Sequence, residues 1–299
     1  MANTLKWQEV WENKLAQRLD KPQNWKETCD VMYTDTQTTV LPYISASNEP
    51  AVVTSSLTSA AARSTLSNVI VPVDVTMSTE TLAIVTTNYD AVYLDYADQA
   101  QSNYARIANM GDLLGKKINE RIGTLVLADA LNETNFGDTA SGALGLASTQ
   151  ITVTANNVDD IIRGVIEQVY TANGFDLAKS NGIFIEWRPQ DWTFVVQFMQ
   201  ANGFNVADAA LKSGGEIGVE FMGVYHYVST QHTANHLFGG VRKLKKLGLL
   251  KSTFGKIYVS ETPGHADGML SGTTIHARLD YGFKTQTNIA GLVFDINVV

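Results

Sequence analysis

Two histidines, His232 and His236, stand four residues apart. On a helix that spacing would put both imidazoles on one face, as metal ligands can be. The segment Thr230-Gln-His-Thr-Ala-Asn-His236 has no glutamate in the zinc-protease position and no apolar periodicity, so it reads as a loop with two polar histidines. Phe254-Gly-Lys256 follows Ser252-Thr253 but lacks the first glycine and the trailing hydroxyl residue of a phosphate-cradling loop. There is no Gly-x-Ser-x-Gly elbow, and no pair of carboxylates can be singled out for acid–base work. Cys29 is the only cysteine, which excludes an internal disulfide and a cysteine-based zinc site. It reads as a small buried hydrophobe in a protein made under reducing conditions. No catalytic, cofactor-binding or metal-ligating residues are expected, and the chain is expected not to be an enzyme.

The 299 residues are 44% hydrophobic and only 17% charged. That balance suits an ordered, core-forming protein, yet it falls short of the roughly 25% charge usual for soluble domains. A surface poor in charge is often one covered by neighbours. The net charge of −8 is uneven: residues 1–150 hold 10 basic and 17 acidic side chains, residues 151–299 hold 12 and 13. Within the second part Arg242, Lys243, Lys245, Lys246, Lys251 and Lys256 follow one another with no acid between them. The bulk of the protein should repel free nucleic acid, while this strip could meet an acidic neighbour or phosphate, which suits head-to-tail contact between copies. The bland alternative is a solvated face. The N-terminus lacks a basic start followed by an apolar run, so no secretory signal is expected. No window of about 18 uninterrupted apolar residues occurs, so no membrane span is expected.

The elements that would position these residues can be read from periodicity. Leu5, Trp7, Val10, Trp11, Leu15 and Leu19 fall near helical spacing in residues 1–20 and end at Lys21-Pro22. This helix either docks on its own domain or forms an arm that offers Trp7 and Trp11 to a neighbouring subunit. From Val31 to Asn68 periodicity fades into Ser, Thr and Ala, as in an extended arm or functional loop. Val69 to Met77 and Thr81 to Thr87 then flank Ser78-Thr-Glu80 in the pattern of a β-hairpin, followed by a strand from Ala91 to Tyr96. Gln99 to Leu131 carries the longest helical signal, worth about 45 Å at 1.5 Å per residue. Asn132 to Gln150 reads as loop, Ile151 to Thr154 as a short strand, and Val158 to Val169 as a helix capped by Asn156 or Asn157 and stopped by Asn173-Gly174.

The most informative stretch comes next. A buried strand, Gly182-Ile-Phe-Ile-Glu-Trp187, leads through Pro189 into a helix over Gln190 to Ala201 that Gly203 closes. A short helix from Ala207 to Lys212, a stop at Gly214-Gly215, and a strand pair over Ile217–Phe221 and Gly223–Val228 follow. Thr273 to Leu279 and Gly291 to Val298 read as paired closing strands.

In order and texture, most of the chain resembles the major capsid proteins of tailed phages, the Hong Kong 97-type fold. The residues that carry the likeness are Gly182-Ile-Phe-Ile-Glu-Trp-Arg-Pro-Gln-Asp-Trp192 and the glycine-punctuated run from Gly214-Gly215-Glu-Ile-Gly218 through Phe221-Met-Gly-Val224. The resemblance implies an α+β fold with an N-terminal arm (residues 1–45) and an extended hairpin loop (46–92). A peripheral domain with its spine helix would follow (93–155 and 264–299), with a wedge-shaped axial domain inserted (156–263). It further implies self-assembly as hexamers and pentamers into an icosahedral head around double-stranded DNA, held non-specifically. The chain would be made in the host cytoplasm and finish in the virion, with separate scaffolding, portal and decoration proteins as possible partners and no membrane. Candidate assembly contacts are Trp7, Trp11, Arg63, Arg242, Lys243, Lys245 and Lys246. No lysine lies between Lys26 and Lys116, so the lysine-to-asparagine crosslink some members make from the hairpin loop is not expected. Three alternatives stand beside this one: an encapsulin-like nanocompartment shell, a soluble hydrolase without a local signature, and a β-rich tail or adhesion protein.

Overall fold

The computed structural model describes residues 2–46, 76–95, 109–139, 142–203, 219–262 and 272–299. Along the chain these form α1 (Ala2–Leu19), α2 (Asn24–Thr28), β1 (Asp30–Thr34), β2 (Thr38–Ala46), β3 (Thr76–Ala83), β4 (Thr86–Asp95) and α3 (Met110–Ala130). There follow β5 (Thr134–Asp138), β6 (Leu144–Gly145), α4 (Val158–Thr171), α5 (Phe175–Asn181), β7 (Ile183–Trp187) and α6 (Pro189–Ala201). The rest is strand: β8 (Val219–Phe221), β9 (Val224–Val228), β10 (His236–Val241), β11 (Lys246–Leu250), β12 (Ile257–Thr262), β13 (Gly272–Lys284) and β14 (Val293–Asn297).

One sheet has seven strands in the order β6-β5-β14-β10-β7-β9-β8. Its inner strand β7 buries all five residues, as an apolar run covered on both faces must. The stripe of α4 supplies cover through Val158, Ile161, Ile162, Val165 and Val169, and α6 through Trp192, Val195, Val196 and Met199. Pro189 opens α6 at a first-turn position that needs no N–H donor. Between β8 and β9 the two-residue turn puts both Met222 (φ 53°) and Gly223 (φ 75°) in the left-handed region, the geometry that matches the twist of a tight hairpin.

The second sheet is built on the 13-residue β13. One edge of β13 pairs with β4 over Gly272–Tyr281; the other pairs first with β12 and then with β11. β1 adds to β11 in parallel, with Asp30 beside Lys246 and Thr34 beside Leu250. β2 and β3 form a separate two-stranded ribbon.

Several expectations need correction. Ser78-Thr-Glu80 is no turn: it lies mid-strand in β3, whose partner is β2, with Glu80 opposite Leu41. The apolar run before it, Val69 to Val75, and the predicted helix from Ala207 to Lys212 lie outside the described residues. The spine helix starts at Met110 after a turn at Asn109, so 21 residues span about 32 Å. The Ser/Thr-rich segment after Val31 holds β1 and β2, and the predicted loop after Asn132 holds β5 and β6. The closing strands β13 and β14 do not pair with each other; they belong to different sheets. Strands from separate parts of the chain share sheets: β11 and β12 lie with β13, and β5 and β14 lie in the sheet of β7.

Helix α1 is not a free arm. Trp11, Leu15 and Leu19 are buried, and the helix lies along α3 at Gly111 and Gly115. A Cβ on Gly111 would stand 2.8 Å from Trp11 Cα and closer still to its carbonyl oxygen; one on Gly115 would stand 2.8 Å from Arg18 Cβ. The glycines therefore permit close helix–helix approach, a role their helix-weakening propensity conceals. At the other flank Gln8 Nε2 donates to Ile257 O (2.8 Å) and the Glu12 carboxylate accepts from Ile257 N (3.3 Å), so side chains of α1 satisfy backbone at the edge of β12.

Candidate functional site

The basic strip is the first place to test for a binding surface, and most of it is already occupied. Arg242 donates to Glu27 (2.6 Å), Lys246 to Asp30 (2.5 Å) and Lys251 to Asp35 (3.2 Å). Parallel pairing of β1 with β11 sets this ladder, because it brings residues some 216 positions apart side by side. Arg242 also lies over the Tyr225 ring at 4.5 Å. Lys245 is 1% exposed and held between Asp129 (2.6 Å) and Glu133 (2.5 Å), with Thr285 donating to the same Glu133 oxygen. Burial opposes its charge, but Glu133 and Asp129 outweigh burial and the pKa is raised. Lys243 stays exposed on a left-handed turn (φ 59°).

The acids that neutralise the strip thus come from the same chain. Arg242, Lys245 and Lys246 are each paired inside the chain. Trp11 packs under α3. Trp7 falls within α1, but its side chain is outside the described residues, as is Arg63 altogether.

Among the described residues no three or more His, Cys, Asp or Glu side chains are grouped to hold an ion. His226 is buried on β9, where Nδ1 accepts from Trp187 Nε1 (2.9 Å), leaving Nε2 to donate to Phe221 O (3.1 Å). Burial pushes its pKa down to about 4, so a neutral ring joins strand to strand. His232 sits in the loop before β10, with burial and then Arg188 pushing its pKa down to about 3. His236, at the start of β10, meets Asp295 at 2.9 Å. The Cys29 thiol is buried and pushed up to about 12, which leaves it unreactive.

Exposed apolar surface gathers elsewhere. On the β2–β3 ribbon alternation is strict: Leu41 and Leu82 turn inward, whereas Val40 (61% exposed) and Met77 (69%) turn out, beside Pro42, Thr79 and Thr81. Val85 (80%) lies just beyond. The inner face is tied down by Glu80, which accepts from Thr287 N (3.0 Å) and Lys284 Nζ (2.8 Å). A two-stranded ribbon with an outer apolar face has little of its own to pack on.

No family model and no curated protein matches the sequence. Solved structures do match in three dimensions. The capsid of Ralstonia phage GP4 aligns with a TM-score of 0.59 at 8% identity, over 93% of this chain and 91% of that one. The virus-like particle from Pyrococcus furiosus aligns with a TM-score of 0.57 at 10% identity, over 97% and 98%. The cyanophage P-SCSP1u capsid aligns with a TM-score of 0.53 at 11% identity, over 93% and 89%. The chain has the Hong Kong 97-type capsid fold.

Within this capsid fold the features that sequence reasoning placed well are local ones: β7, α6 and the hairpin turn at Met222-Gly223. Those it missed are the ion ladder, the glycine seam between α1 and α3, and a buried carboxylate, Glu186 on β7, which is 4% exposed. A signal for Glu186 was present, since a single acid interrupts an otherwise apolar five-residue strand.

Proposed function

We propose that this chain is the major capsid protein of a tailed, double-stranded DNA phage and is structural rather than catalytic. Copies would gather as hexamers and pentamers and close into an icosahedral head. The observation that carries this reading is the capsid fold, shared with structures aligned over 93% and 97% of the chain. The outward row Val40 and Met77 on the ribbon supports it, because such a row is covered when another copy lies on it. Assembly contacts are accordingly assigned to the ribbon's outer face and to exposed Lys243, with Trp7 and Arg63 retained as candidates. Scaffolding, portal and decoration proteins are proposed as separate partners, with DNA held non-specifically inside and the virion as the final location.

Electron microscopy of the expressed full chain tests the proposal. Closed particles or capsomer rings tens of nanometres wide are expected; a chain that stays monomeric at high concentration refutes it. The match to a virus-like particle from Pyrococcus furiosus, over 98% of that chain, keeps a second reading beside the phage one: an encapsulin-like nanocompartment shell, proposed to enclose protein in place of DNA. Nuclease-protected DNA in particles purified from the native source decides for the phage reading, and a co-purifying cargo protein in place of DNA decides for the other.

A further inference from the structure

Glu186 lies within the buried strand β7, and among the described residues no cation forms an ion pair with it. Its hydrogen-bonding partners are the Asn24 amide, whose Nδ2 stands 3.2 Å from Oε1, and the Ser229 hydroxyl. The same Asn24 Nδ2 donates to Val228 O at 2.9 Å. One amide of α2 therefore bridges the end of β9 and the carboxyl on β7. Beside this joint is a cavity of about 740 Å³, lined by Lys21, Gln23, Trp25, Leu127, Glu186 and Gln231 among others. It separates the α1–α2 turn from the seven-stranded sheet and gives the segment room to move.

The surroundings of Glu186 are close to neutral. In sheet register it stands between Tyr227 on β9 and Phe238 on β10. The Tyr227 phenol, pushed up to about 12 chiefly by burial, stays protonated, as does the Cys29 thiol beyond it. Farther off, Lys245 is balanced by Asp129 and Glu133. Arg18 and Lys21 line the cavity but make no ion pair with Glu186 among the described residues. Burial consequently lifts the Glu186 pKa to about 7, with Asn24 and then Ser229 pulling against it.

We propose that Glu186 is a proton-operated latch: its neutral carboxyl holds residues 21–28 against the seven-stranded sheet, and its ionisation releases them. Release breaks the Arg242–Glu27 pair as well, whereas Lys246–Asp30 and Lys251–Asp35 downstream keep β1 in place, so it stops short of the five-stranded sheet. The sign follows from linkage. Opening exposes Glu186 to water, where its pKa returns to the ordinary 4.5. The opening equilibrium then rises about tenfold per pH unit from 4.5 to 7 and levels off above, close to 100-fold between pH 5 and pH 8.

Hydrogen–deuterium exchange of the full chain at pH 5 and pH 8, corrected for intrinsic exchange rates, tests this directly. Protection over residues 21–28 is expected to fall about 100-fold at pH 8 while residues 30–34 hold, and Glu186→Gln is expected to abolish the pH dependence. Equal protection at both pH values overturns the proposal, and so does a Glu186→Gln variant that keeps the wild-type dependence. Should that variant fail to fold, infrared difference spectra of an Asp295→Asn background are decisive, because burial raises that carboxyl too. A protonated-carboxyl band that persists above pH 6 is expected, and its absence overturns the latch.

Discussion

Gly111→Ala separates packing from propensity, because the two act in opposite directions. Replacing glycine by alanine in a helix contributes up to about 1 kcal/mol of stability through propensity alone. Here the new methyl would meet backbone of Trp11, at 2.8 Å from Cα, and backbone cannot rotate out of the way. To restore ordinary contact, α1 must lift from α3 by roughly 0.5–1 Å, enough to forfeit a quarter to a half of the dispersion attraction across the seam. The anchors on that seam are Trp11, Leu15 and Leu19, all buried. At about 2 kcal/mol each they contribute about 6 kcal/mol, of which about 1.5–3 kcal/mol is lost. After the propensity gain, a net destabilisation of about 0.5–2 kcal/mol remains. Urea unfolding at fixed protein concentration measures it, with Leu113→Ala on the exposed face of the same helix as a control expected to change stability by no more than about 0.5 kcal/mol. A Gly111→Ala protein more stable than wild type would show that α1 does not lie on α3 at this glycine.

Three further outcomes follow from the same contacts. Glu133→Ala leaves Lys245 buried with Asp129 as its remaining carboxylate and should cost about 3–5 kcal/mol in urea unfolding, whereas Lys251→Ala, at an exposed pair, should cost less than about 1 kcal/mol. His226 carries a folded pKa near 4 against an ordinary 6.5. Its contribution is therefore complete above pH 6.5, erodes as the pH falls, and has lost about 3 kcal/mol by pH 4; His226→Gln, which keeps an acceptor for the Trp187 indole, should flatten that acid slope in thermal unfolding. Val40→Asp on the ribbon's outer face should leave protomer unfolding within about 0.5 kcal/mol of wild type yet abolish particles in sedimentation; intact particles would remove the ribbon from the proposed contacts.

What was legible in the sequence depended on how far apart the partners lie. The strand β7, the helix α6 behind Pro189 and the Met222-Gly223 turn are decided within about ten residues, so pattern and turn chemistry suffice. The ribbon was misread because β3 has its partner in β2, and the intervening residues offered the nearer Val69–Val75 run as a substitute. Its threonine-rich alternation carries no register information of its own. The partners of the basic strip were hidden for a related reason. Arg242 and Lys246 have no acid near them in sequence, and only the parallel pairing of β1 with β11 reveals that Glu27 and Asp30 answer them. Glycines 111 and 115 likewise look like helix defects until α1 is laid on them.

These corrections change where contacts between copies must be sought. If α1 were an arm, its removal would spare the protomer and harm assembly. Yet α1 buries Trp11, Leu15 and Leu19, and its Gln8 and Glu12 occupy the backbone of β12 at Ile257. Deleting residues 2–19 would uncover the α3 seam and leave the β12 edge open to foreign strands. The protomer itself should then aggregate. Circular dichroism and sedimentation of the truncated chain check this: a folded, monodisperse truncation would return α1 to the role of an arm. If the protomer fails instead, the N-terminal 35 residues are a brace for both sheets, and the surface that meets a neighbour lies on the outward side of β2 and β3.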